Sequence, residues 1–112
     1  MQRDYYNAIV CKNTGSIDNL ELNSLKRKKL NSDEVRVEVR ACGVNFPDKL
    51  MIEGQYQFKP ELPFTPGLEV SGVISETFYN DKKIPLGSRV MCQLSFGGYS
   101  EEVVVNKNNI IH

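Results

Sequence analysis

The chain has 112 residues, enough for one domain with a real core. Lys+Arg 14 balance Asp+Glu 14, so no overall field draws the molecule to nucleic acid or to an anionic membrane, and neither is expected as a partner. Hydrophobic residues at 40%, charged residues at 25% and the lack of any apolar run near ~18 residues argue against a membrane-spanning helix. The opening Met1-Gln2-Arg3-Asp4-Tyr5 has no leader-like apolar stretch, so the expected compartment is the cytoplasm.

In chain order, residues 6–11 read as a first strand, closed by the turn-forming Asn13-Thr14-Gly15, and a short second strand is expected at 20–22. Lys26-Arg27-Lys28-Lys29, beside Asn31-Ser32-Asp33, reads as a solvated loop. From Glu34, Val35, Val37, Val39 and Ala41 alternate with Arg36, Glu38 and Arg40, the period of a strand with one wet face.

Residues 46–54 read as a short helix, with Pro47 at the first helical position, Asp48 near the positive end and Gly54 as terminator. Pro60, Pro63 and Pro66 impose an irregular crossing before strand character resumes at 69–74, 88–93 and 99–105. Gly72 implies a bulge or tight bend inside its strand, Pro66-Gly67 a turn with close backbone approach, and Gly97-Gly98 a connection able to close a hairpin. Six strands, Gly/Pro punctuation and one helical segment predict a mainly β fold, an antiparallel barrel or sandwich. Cys11, Cys42 and Cys92 are odd in number and lack a C-x-x-C pair, so they read as reduced core thiols.

The segment Ala41-Cys42-Gly43-Val44-Asn45-Phe46-Pro47-Asp48 resembles the N-terminal domain of quinone oxidoreductase-like members of the medium-chain dehydrogenase/reductase superfamily. Gly54-Gln55-Tyr56, residues 63–74 from Pro63-Phe64-Thr65 to Gly72-Val73-Ile74, Gly87-Ser88-Arg89-Val90-Met91 and Gly97-Gly98-Tyr99-Ser100-Glu101 follow in the same order. The resemblance implies a GroES-like, partly open β-barrel with one or two short helices over residues 1–112. It also implies an activity in the full-length family: NADPH-dependent reduction of quinones or conjugated enones.

Zinc-dependent relatives carry Cys where this chain has Asn45 and His where it has Leu68. The resemblance therefore implies a zinc-free site, since Glu69 alone cannot supply the roughly three protein ligands a catalytic zinc needs. Asn45 is the candidate to face the nicotinamide and the acceptor; the same residue is also a favoured helix N-cap, and both readings stand. Tyr56 is a second pocket candidate, with a core position and a wet tip as its alternative. Leu50 departs from the Tyr of some members, and His112 suggests no role.

No G-x-G-x-x-G occurs in the chain, so the dinucleotide-binding domain is expected to lie outside it, with no pyrophosphate-binding residues here and no activity from this domain alone. A complementary Rossmann-domain partner would supply it, and the surface left uncovered in its absence implies a homo-oligomer as the other expected partner. A free-standing GroES-like binding or assembly module is the alternative.

Overall fold

The computed structural model describes residues 4–79 and 82–112; the extreme N-terminus read above for a leader, residues 1–3, lies outside them. The elements are β1 (Tyr5–Cys11), β2 (Leu20–Lys26), β3 (Glu34–Cys42), α1 (Phe46–Glu53), β4 (Glu69–Thr77), β5 (Arg89–Gln93), β6 (Glu102–Asn106) and β7 (Ile110–Ile111), with short 3-10 turns before β2 and β7. β1 and β2 form an antiparallel hairpin. The others form a curled antiparallel sheet in the order β6-β3-β4-β5-β7, a mainly β, partly open barrel as expected.

The alternation read in β3 places Val35 and Val37 in a core completed by Val70 and Ile74 of β4, Val90 and Cys92 of β5, Val103 and Val105 of β6, and Ile84. A smaller core under α1 gathers Cys11, Met51, Ile52 and Phe64. Gly72 sits opposite Val39, where the β3–β4 register shifts, and a Cβ there would lie 2.0 Å from the Glu38 carbonyl oxygen. The bulge expected at this glycine is thus a close backbone approach that no side chain permits.

The wet face expected of β3 is corrected at Arg36, which is 3% exposed. Period 2 identifies which side chains share a face, and it is silent on what covers that face. Here the β1–β2 hairpin and its continuation do so: Arg36 Nη1 donates to Glu102 Oε2 at 2.6 Å, Arg36 Nε to Glu76 Oε1 at 2.8 Å, Arg36 Nη2 to the Lys28 carbonyl, and Arg27 Nε to Glu102 Oε2 at 3.0 Å. A cavity of about 310 Å³ remains between the layers, with Tyr6, Val10 and Leu25 of the hairpin facing Arg36, Glu102 and Val104 of the sheet.

Other boundaries shift for related reasons. β2 extends to Lys26 because β1 offers a partner for every residue from Leu20 onward, so the first of the basic run is strand and Arg27 is an anchor, while Lys28 and Lys29 stay solvated. β6 starts at Glu102 instead of Tyr99, since residues 99–101 pair with β1 through Ile9 N–H to Tyr99 O and Glu101 N–H to Asn7 O. Gly97-Gly98 closes no hairpin, because β3 and β4 lie between β5 and β6 in the sheet. Pro47 takes the second helical position, after Phe46, and Gly54 ends α1 in the left-handed conformation at φ 77°.

Removing one partner of a buried ion pair leaves the other charge unpaired in a medium that solvates it poorly. Glu102→Ala is therefore expected to lower stability by about 3–5 kcal/mol, and the double replacement Arg36→Met/Glu102→Leu to cost less than that single change. Urea denaturation of the variants checks both; a loss below about 1 kcal/mol for Glu102→Ala would show that the pair does not hold the layers together.

Candidate functional site

The site is organised around Asp48, the third residue of α1 and 1% exposed. Its Oδ2 accepts from the Asn45 N–H at 2.9 Å and from the Tyr99 hydroxyl at 3.0 Å, and its Oδ1 accepts from the Gly67 N–H at 3.0 Å. An anion at a helix N-terminus also meets the positive end of the helix dipole. One carboxylate thus joins α1, the Pro66-Gly67 turn and the segment after Gly98.

Glycine is required where these segments meet. Gly67 has φ 113°, and a Cβ on it would come within 2.7 Å of Gly98 Cα; one on Gly98 would come within 2.9 Å of Cys42 Sγ. The contact is tied by Gly98 N–H to Gly67 O at 3.1 Å and Tyr99 N–H to Pro66 O at 2.9 Å. Burial, followed by the hydrogen bond to Asp48, holds the Tyr99 phenol well above its ordinary pKa. It stays protonated and keeps donating.

This clamp fixes the start of β4 and with it Leu68 and Glu69. Asn45 is the N-cap of α1, with extended backbone at φ −125°, ψ 162°, while its side-chain amide turns to Glu69: Nδ2 donates to Oε1 at 3.3 Å. The Glu69 carboxylate lies against Gly43, where a Cβ would fall 2.2 Å from Oε1, and the Gly43 N–H donates to the Glu69 carbonyl at 3.1 Å. Asn45, Pro47, Leu68, Glu69, Gln93 and Leu94 line an open cleft of about 440 Å³.

Of the two residues singled out from sequence, Asn45 lines this cleft and Tyr56 does not: it is half-buried against the core of Cys11, Met51, Ile52 and Phe64. From sequence, Asp48 reads as a favourable helix charge and Tyr99 as strand, each within a family landmark, with no link between them. The Asn45-x-x-Asp48 spacing, an N-cap followed three residues later by an acid that reaches back to it, is the signal that would have found the first; no local pattern announces Tyr99.

Cys42, beside Gly98, is held up to about 11 by burial and then by the charges of Asp48 and Glu69. Burial raises Cys92 to about 11 and also raises Cys11. Among the described residues no group of three or more His, Cys, Asp or Glu side chains comes together. With thiolate the reactive form, Cys42 and Cys92 in the folded chain should alkylate with iodoacetamide at pH 8 about a hundredfold more slowly than in the urea-unfolded chain. Rapid labelling of native Cys42, read by peptide mass spectrometry, would contradict that assignment.

The family described as Alcohol dehydrogenase GroES-like domain matches residues 31–112. The chain is 37% identical over 109 residues to quinone oxidoreductase-like protein 2 of Rattus norvegicus, covering 97% of this chain and 31% of that protein. Its fold superposes on a probable oxidoreductase from Mycobacterium abscessus with TM-score 0.89 and 36% identity, covering 96% of this chain and 34% of that one. It also superposes on the quinone oxidoreductase of Thermus thermophilus, solved alone and with NADPH, with TM-score 0.78 and 34% identity over 94% of this chain and 31% of that one. The chain spans about a third of the length of these relatives. With its strand order, the position of α1 and the ordered glycine landmarks, the chain belongs to the alcohol dehydrogenase GroES-like domain family of the medium-chain dehydrogenase/reductase superfamily, alongside its quinone oxidoreductase-like members.

Proposed function

We propose that residues 1–112 are the acceptor-facing domain of an NADPH-dependent oxidoreductase that reduces quinones or conjugated enones without zinc, and that this domain is inactive alone. The observation that carries the reading is the cleft at Asn45. It presents an amide donor and one carboxylate between apolar walls, and two of its lining residues, Asn45 and Leu68, stand where zinc-dependent relatives of the superfamily carry Cys and His. Zinc would polarise an acceptor oxygen. Here Leu68 offers no lone pair and Asn45 is bonded to Glu69, so the donor set suits an acceptor that takes hydride readily without a metal.

The cofactor divides unequally. The cleft and its two amides, Asn45 and Gln93, suit a nicotinamide ring and an acceptor carbonyl. The pyrophosphate has no counterpart: the N-terminus of α1, where backbone N–H groups would meet phosphate, already holds the Asp48 carboxylate. A further domain or a complementary partner must supply that part, as the missing G-x-G-x-x-G requires. The three unpaired cysteines agree with a reducing cytoplasm. A free-standing assembly module is the weaker reading, because it gives no reason for a carboxylate fitted against Gly43 at the mouth of a cleft.

The purified chain is expected neither to bind NADPH in the micromolar range nor to reduce quinones, and to carry no stoichiometric zinc. Hydride transfer needs donor and acceptor held together, a positioning effect worth up to ~7–11 kcal/mol that one wall cannot provide. Calorimetry, a quinone-reduction assay and elemental analysis test this. Saturable turnover by the chain alone, or one tightly held zinc per chain, would overturn it.

Val44 and Phe46, on either side of Asn45, are 82% and 66% exposed. Such a patch beside a functional cleft belongs under another surface. Light scattering over a concentration series should therefore show self-association that weakens in a Val44→Ser/Phe46→Ser variant. A strict monomer at every concentration speaks against an uncovered interface.

A further inference from the structure

We propose that Glu69 is the counter-charge for the pyridinium form of a nicotinamide, so that the cleft at Asn45 prefers the oxidised ring to the reduced one. The proposal rests on the NADPH reading above and adds to it a residue that sets the direction of charge preference.

Charge comes first. Of the residues that line the cleft, Glu69 alone has an acidic or basic side chain. Among the described residues it takes part in no ion pair; the hydrogen bond described for its carboxylate comes from the neutral Asn45 amide. A carboxylate that faces a cleft with no cation of its own offers an attractive site to a cationic ligand and a repulsive one to an anion.

Placement comes second. The carboxylate occupies a notch that exists because residue 43 has no side chain, and the chain enters that notch directly from the Gly67 turn fixed by Asp48. The side chain is exposed to solvent, and its carboxylate is oriented by the Gly43 backbone on one side and by the Asn45 amide on the other. Around it, Leu68, Leu94 and Pro47 provide flat apolar walls, and the amides of Asn45 and Gln93 can exchange hydrogen bonds with a carboxamide, which carries one acceptor oxygen and two donor hydrogens.

The chemistry gives this charge a use. When a dihydronicotinamide donates hydride, its C–H bond breaks with the electron pair going to the acceptor carbon. The neutral ring becomes a cation, and the acceptor oxygen takes a proton from water. Positive charge thus develops on the ring in the transition state, where a preorganised carboxylate stabilises it more than it stabilises the neutral starting ring.

The test uses the chain itself and two matched probes, the 1-methylnicotinamide cation and neutral nicotinamide, with the Asn45 side-chain amide followed by nitrogen-labelled NMR. The cation is expected to saturate the Asn45 shift at about one-fifth of the concentration the neutral ring needs, the scale of a partly exposed charge pair. Glu69→Gln should bring the two curves together. Gly43→Ala, which places a Cβ in the notch and pushes the carboxylate out, should reduce the preference while leaving the net charge of the chain unchanged. The backbone spectrum of each variant verifies that it is folded. Equal binding of the two probes to the unaltered chain, or a preference that survives Glu69→Gln, removes this role from Glu69 and leaves the NADPH reading standing. Failure of both rings to shift Asn45 overturns the proposal and the reading under it.

Discussion

Asp48 is a carboxylate taken almost wholly out of water without a cationic partner among the described ion pairs, and the arrangement of the cleft depends on how that cost is met. Desolvating such a group costs several kcal/mol unless its lone pairs are satisfied. Three donors from three segments satisfy them: the Asn45 N–H, the Gly67 N–H and the Tyr99 hydroxyl. Each donor is short of alternatives once buried, so the segments cannot separate without stranding either the carboxylate or themselves. Apolar packing at the same place would be less demanding of direction, and the positions of Asn45 and Glu69 relative to each other would be correspondingly looser.

The second buried charge system joins β3 to β6. Arg36 and Glu102 are covered by the β1–β2 hairpin, and Arg27, immediately after β2, reaches the same Glu102 oxygen. The hairpin shares no ladder with the five-stranded sheet; its lateral backbone bonds run to residues 64 and 99–101. The charged cluster and those bonds, together with the buried Ala8, Val10 and Cys11 of β1, fix it in place. Since residues 99–101 also bring Tyr99 to Asp48, the hairpin supports the clamp indirectly, through one short stretch of chain bonded on both flanks.

What the sequence revealed and what it hid follow from the range of each interaction. Val35 and Val37 could be placed on the dry face of their strand because strand periodicity is local, and α1 could be placed because Pro47, Asp48 and Gly54 act within one or two turns. Arg36 was misassigned to solvent because its cover comes from segments far away along the chain. Gly97-Gly98 suggested a hairpin from composition alone, whereas Gly97 adopts a left-handed φ of 111° and Gly98 lets backbone pass over Gly67 and Cys42. Asn45 and Glu69, 24 positions apart, were each noticed through family resemblance; their hydrogen bond becomes visible only in three dimensions.

The same clamp that builds the cleft limits what this domain can bind. A helix N-terminus is the most direct device by which a backbone receives phosphate, and α1 is the single α-helix among the described residues. Its N-cap N–H, that of Asn45, is bonded to the Asp48 carboxylate instead, so an approaching phosphate would meet like charge. Filling that position with Asp48 secures Asn45, Gly67 and Tyr99 and at the same time sets a negative charge where an anion would approach. Precise placement of an uncharged amide beside one carboxylate, and affinity for a polyanionic cofactor, are opposed demands on one helix end, which is why the proposed function leaves the pyrophosphate to another domain.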